Sequence, residues 1–223
     1  MEKVTGLLWY VKWFMLVFLL ALLVDMVYVF WPWPAVRGVA VFQHNLAAES
    51  QIIAKLSNPQ GLAFIKTVQA WVYQPTFVWS GLHDFLVLGA EPTAAVITGS
   101  GRDFGQGLAH GFWQQLQTAY IGVLLFAQRL AVLALSAPLF GVVMLAAATD
   151  GLLGWYKRRT SVGRESGLIY HVAKHGFSNT LRGVWVLYLL PPIVIDPHWV
   201  IPPALLLVAL ATRLAVGYFK KYL

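Results

Sequence analysis

Residues 13–31 read WFMLVFLLALLVDMVYVFW, nineteen positions with one charged side chain, Asp25. A helix rising about 1.5 Å per residue over that length matches a hydrocarbon core of roughly 30 Å. A run this long and this apolar is a transmembrane helix, and it limits the fold more than any other feature. Trp13 and Trp31 stand at its two ends, where aromatic rings prefer the membrane interface. Pro32 and Pro34 then stop the helix. The apolar core is too long for a secretory leader and no small-residue cleavage site follows, so the segment is expected to stay as an anchor.

Composition extends this reading to the whole chain. Of 223 residues, 59% are hydrophobic and 11% charged, with a mean hydropathy of +0.67. A water-soluble domain carries about 25% charged residues, so lipid is the main solvent here. The net charge of +7 then points first to loop lysines and arginines, not to nucleic acid. Cysteine is absent, which excludes disulfides, thiolate metal sites and cysteine nucleophiles.

Three further apolar stretches follow. Residues 130–149 form a second span, which Pro138 kinks without breaking. A third, over residues 183–195, and a fourth, over residues 200–219, flank the turn DPHW at residues 196–199. The Pro191-Pro192 and Pro202-Pro203 pairs are read as bracketing that turn. A full hairpin is expected, with a re-entrant hairpin as the alternative.

Basic residues orient the spans. Lys3 and Lys12 precede the first; Lys157, Arg158, Arg159, Arg164, Lys174 and Arg182 lie between the second and third; Lys220 and Lys221 follow the fourth. The positive-inside rule puts both termini in the cytoplasm of a bacterial inner-membrane protein. The expected fold is an all-α membrane protein with about four transmembrane helices, a mostly helical apolar periplasmic segment and a cytoplasmic amphipathic helix. Its parts are an anchor (1–31), the periplasmic segment (32–117), a long helix with span two (118–156), a basic amphipathic segment (157–182) and a C-terminal hairpin (183–223).

The periplasmic segment has only eight charged residues in 86, where a soluble domain would carry about 21. Phe42, Leu46, Glu49, Ile53 and Leu56 recur at helical spacing, as do Leu62, Ile65, Val68 and Val72. Glycine, proline and threonine over residues 89–107 predict a loop. The segment is expected to pack on the outer leaflet or against other subunits. Its GSGRDFGQG at residues 99–107 fits neither a P-loop nor a dinucleotide fingerprint.

Charges in the spans need partners, because lone charges in lipid are costly. Depth along the helices pairs Asp25 with Arg129 and Asp150 with Arg213. Helix-to-helix pairing is the first reading and an ion or proton path the second.

Residues 163–176, GRESGLIYHVAKHG, sort onto two helix faces. Leu168, Ile169, Val172, Ala173 and Gly176 share one; His171, Lys174, His175 and Ser178 share the other. A basic amphipathic helix leading into a span suits a membrane surface or a docking partner. His171 and His175 have the spacing of two metal ligands, but no third ligand accompanies them and Lys174 lies beside them. No metal or other cofactor is expected, and direct nucleic-acid contact is not expected either. No catalytic triad or carboxylate pair is found, so an enzyme is not expected.

These residues carry a resemblance. Gly163, Arg164, Glu165, Ser166, Tyr170, His171, Ala173 and Lys174, with the DPHWVI turn, the terminal FKKYL, Asp25 and Asp150-Gly151, resemble the integrating conjugative element membrane protein family. The match is best over residues 129–223. Members are inner-membrane proteins of conjugation gene sets, commonly encoded near a TraD-like coupling ATPase. The resemblance implies a non-catalytic accessory subunit of a conjugative type IV secretion system. Its partners would be the coupling ATPase, other conjugation membrane proteins, the lipid bilayer and further copies of itself. Arg164, Glu165, Tyr170, His171 and Lys174 are the expected cytoplasmic contact. A small channel or proton-coupled transporter using Asp25, Arg129 and Arg213 is the alternative, and an entry-exclusion or regulatory membrane protein is a third reading.

Overall fold

The computed structural model describes residues 2–29, 38–81, 102–160 and 167–219, and all regular structure among them is helical. Helix α1 is Glu2–Tyr28, α2 Val39–Leu56, α3 Pro59–Tyr73, α4 Arg102–Arg159, α5 Gly167–Leu189 and α6 Pro197–Gly217. A π-helical turn, Gln74–Val78, continues α3. Among the described residues, three helices are long and apolar enough to cross a membrane: Val11–Tyr28 of α1, Trp113–Arg159 of α4 and Pro197–Gly217 of α6.

Local chemistry sets the boundaries. Gly38, at φ 71°, takes the left-handed backbone that starts α2. Asn58 caps α3, its Oδ1 accepting from Gly61 N at 2.7 Å, with Pro59 in the first turn. Pro75 has no N–H to continue the α pattern, and the turn widens until Trp79 N donates to Gln74 O at 2.9 Å. Asp196 caps α6 by accepting from His198 N at 2.9 Å, again with proline, Pro197, at the start.

Helix α4 has 58 residues, about 87 Å at helical rise, nearly three hydrocarbon thicknesses. It passes through Pro138, since an apolar setting offers the backbone no partners better than its own helix. It begins at Arg102, so residues 102–107 are helical, not loop as the glycines suggested; residues 82–101 lie outside the described part.

Two proline pairs behave differently from expectation. The third apolar stretch does not reach residue 195 as helix. Helix α5 stops at Leu189, because Pro191 disfavours helical backbone at Leu190 and neither Pro191 nor Pro192 can donate. Pro202 and Pro203 do not edge the turn but lie inside α6, which begins at Pro197. Helix α5 also joins the amphipathic segment and the start of the third stretch in one rod, and it is not among the helices apolar enough to cross.

The chain forms two compact units. The first comprises Met1–Ala131 and Leu189–Val194, the second Val132–Tyr188 and Ile195–Leu223. In the first, Val17, Ala21 and Asp25 of α1 are buried at four-residue intervals, and Phe14 and Phe18 meet Phe126 edge-on at 6.0 and 5.0 Å. Phe42, Asn45, Glu49 and Ile53 form the buried stripe of α2. In the second, Ala204, Val208 and Ala211 are the buried stripe of α6. Gly151 of α4 lets that helix approach closely: a Cβ there would lie 2.8 Å from Arg213 O.

Candidate functional site

The first unit has a charged centre. Arg129 and Glu49 are each 1% exposed and form an ion pair. Arg129 Nε donates to both Glu49 carboxylate oxygens, at 3.2 and 3.0 Å, and Nη2 also meets Oε1. Its Nη1 donates to Pro191 O and its Nη2 to Ile193 O, both at 2.6 Å. Asn45 Nδ2 donates to Pro192 O at 2.9 Å. The break after α5 explains this. Residues 191–193 lie in the non-helical link between α5 and α6, so their carbonyls have no helical partner, and burial then demands other donors. Arg129 and Asn45 supply them.

The hydrogen-bonded ion pair of Arg129 is thus with Glu49 and not with the expected Asp25, which still feels the Arg129 charge. The planar guanidinium takes Glu49 on one edge and two carbonyls with its remaining donors, so its carboxylate partner is Glu49. Asp25 is 6% exposed and joins no ion pair among the described residues. It lies against Gly122, where a Cβ would come within 2.5 Å of its Oδ2. Helical spacing alone puts Glu49 on the apolar stripe of α2. A carboxylate in register with Phe42 and Ile53 must be matched by a cation, and that was the available signal.

Amide and hydroxyl groups extend the polar interior. Gln128, 2% exposed, accepts at Oε1 from Ser50 Oγ at 3.0 Å and Gln69 Nε2 at 3.2 Å. Nearby elements form an aromatic cluster, with Tyr73 and Phe77 both edge-on to Tyr120. Burial, and next a hydrogen bond to Tyr120, push the Tyr73 phenol up to about 12.

The second unit carries the other predicted residues. Arg213 Nε lies 2.5 Å from Asp150 Oδ2, with the two side chains 60% and 54% exposed. Tyr170 packs edge-on against Phe219, ring centres 5.7 Å apart. His171, Lys174 and His175 of α5 are exposed, and so is Val172 of the apolar face, at 63%. Arg164 and Glu165 lie outside the described residues. Among the described residues no three His, Cys, Asp or Glu side chains are grouped to hold a metal ion.

Residues 33–220 match the family described as IncC plasmid conjugative DNA transfer protein DtrJ-like. The chain belongs to the DtrJ-like family. Membership implies a role in conjugative DNA transfer. The match leaves α1 outside and reaches into both units, taking in the Arg129–Glu49 pair and the basic face of α5. It specifies the conjugation resemblance differently from the expectation: the family shown is the DtrJ-like one. No curated protein and no solved structure matches the chain.

Proposed function

We propose that this DtrJ-like chain is a non-catalytic inner-membrane subunit of a conjugative type IV secretion apparatus that docks or organises the coupling ATPase. The observation that carries the proposal is the match to a conjugative DNA transfer family over residues 33–220. The exposed face of α5 supports a contact there, with His171, Lys174 and His175 all solvent-accessible. Tyr170, Arg164 and Glu165 would complete that contact. A channel or transporter is less well supported, because Glu49 and two carbonyls already satisfy the buried Arg129 guanidinium.

The test is mild-detergent purification of the tagged protein from cells carrying the whole conjugation gene set. The coupling ATPase should co-purify in fixed ratio, and Arg164→Glu with Lys174→Glu should abolish that recovery without lowering the membrane level of the protein. Unchanged recovery rejects the docking face; recovery of a homo-oligomer alone rejects the subunit reading.

The proposal puts both termini in the cytoplasm, which requires a fourth crossing through the end of α5 and the turn before α6. The chain lacks cysteine, so single cysteines placed at each end report sidedness without background. Labelling of the two ends from opposite sides would mean three crossings and would remove this topology.

A further inference from the structure

An open pocket of about 420 Å³ in the second unit is lined by Leu152, Trp155, Tyr170, Ala215, Val216 and Phe219. Its walls are apolar and partly aromatic, and they come from the last two turns of α4, the start of α5 and the end of α6. Two of these helices are long and apolar enough to cross a membrane, and the pocket lies at their C-terminal ends.

Arginines at the end of α4 edge this apolar floor. The last turn of α4 carries Lys157, Arg158 and Arg159. Arg159 Cζ lies 5.4 Å from the Trp155 ring centre, and Arg158 Cζ lies 4.2 Å from that of Tyr218, beside Phe219. His171 meets Tyr170 edge-on at 5.6 Å, and Lys174 follows one turn later on the same side of α5. The described residues of this unit include six lysines and arginines against two carboxylates, Asp150 and Asp196. Asp150 is paired with Arg213, and Asp196 lies 3.1 Å from His198 at the far end of α6, about 28 Å away at helical rise.

We infer that this pocket binds an anionic phospholipid, an acyl chain lying against Trp155, Tyr170, Val216 and Phe219 and the phosphate meeting the basic last turn of α4. A basic last turn also complements the α4 dipole, but the dipole alone calls for no apolar pocket beside the cations. Apolar walls with a one-signed rim at the end of membrane-crossing helices match a molecule that has a hydrocarbon tail and an anionic head. This inference shares Tyr170, His171 and Lys174 with the docking proposal, but it concerns a different ligand and its test needs no other conjugation protein.

The experiment is native mass spectrometry of the full-length purified chain with phosphatidylglycerol or phosphatidylcholine added at equal concentration. Phosphatidylglycerol should be retained at least fivefold better. Arg159→Gln should lower its retention by roughly fivefold, the effect of one cation near a charged lipid surface. Arg159→Lys should restore most of it, and Lys66→Gln, at an exposed position in the first unit, should leave it unchanged. Ala215→Trp should lower retention of phosphatidylglycerol by filling the acyl seat.

Equal retention of the two lipids by the unaltered protein would overturn the inference, and this comparison needs no variant to fold. An equal loss in Lys66→Gln would also overturn it, by showing that net charge alone attracts the lipid. So would full displacement by inorganic phosphate, which has no acyl chain.

Discussion

The two units hold the same kind of ion pair in opposite settings. Arg129 and Glu49 are 1% exposed and share their neighbourhood with Asn45 and the carbonyls of residues 191–193. Arg213 and Asp150 are more than half exposed. The difference teaches what each arginine is for. A buried charge without its partner is far more costly than an exposed one, so Arg129 depends on a complete network. Arg213 can extend its long side chain toward water and keep its charge solvated, with or without Asp150.

The comparison is broken most directly at Glu49. Glu49→Ala leaves Arg129 buried without its counter-ion and should destabilise the protein by about 3–5 kcal/mol, read as a large drop in melting temperature or loss of the folded species on gel filtration. Replacing both partners, Arg129→Met with Glu49→Leu, should recover much of that loss. Failure to recover would locate the loss in the carbonyls of residues 191–193 left without donors.

A smaller effect is expected in the second unit from packing instead of charge. Gly151→Leu should cost about 1–3 kcal/mol, because a side chain there meets the α6 backbone. At Gly154, three residues on, a Cβ would meet nothing within 4 Å, and Gly154→Leu should be close to neutral in the same unfolding assay. Equal effects at the two glycines would show that the close approach of α4 and α6 is not maintained.

Asn45→Ala removes one donor from the proline break and should cost about 1–2 kcal/mol, measured in the same way. Asp150→Asn removes the exposed partner and should cost less than about 1 kcal/mol. If Asp150→Asn proves as damaging as Glu49→Ala, the contrast between the two units is wrong.

The finest distinction is spectroscopic. Tyr73 has a folded-state value of about 12 against an ordinary value near 10, so folding favours the neutral phenol. Its contribution to stability is full below pH 10 and is lost as pH rises towards 12. The tyrosinate absorbance step missing from Tyr73→Phe should therefore lie near pH 12 and move down in Tyr120→Phe.

Much of the helical layout could be read from the order of residues. The apolar run of α1, the basic run after Tyr156, the passage of α4 through Pro138 and the stripe from Phe42 to Ile53 follow from hydropathy and from periods of three and four. These are local properties, and the local chain determines them. Pairing partners are not local. Asp25 and Glu49 are both carboxylates on apolar helices, and depth along a helix favours Asp25 as the partner of Arg129. Only the tertiary structure decided for Glu49, because the rotation of each helix about its axis sets which carboxylate the guanidinium fork meets edge-on.

The prolines show the same division. Sequence alone determined that Pro191-Pro192 and Pro202-Pro203 each weaken a helix, since proline lacks an N–H wherever it stands. It could not decide which pair ends one. At Pro191-Pro192 the helix stops, and the carbonyls of the link itself find Arg129 and Asn45, donors 62 and 147 residues away along the chain. At Pro202-Pro203 the helix, already capped by Asp196, continues. Donors so distant in sequence become neighbours only on folding, so the place of the break belongs to the tertiary structure.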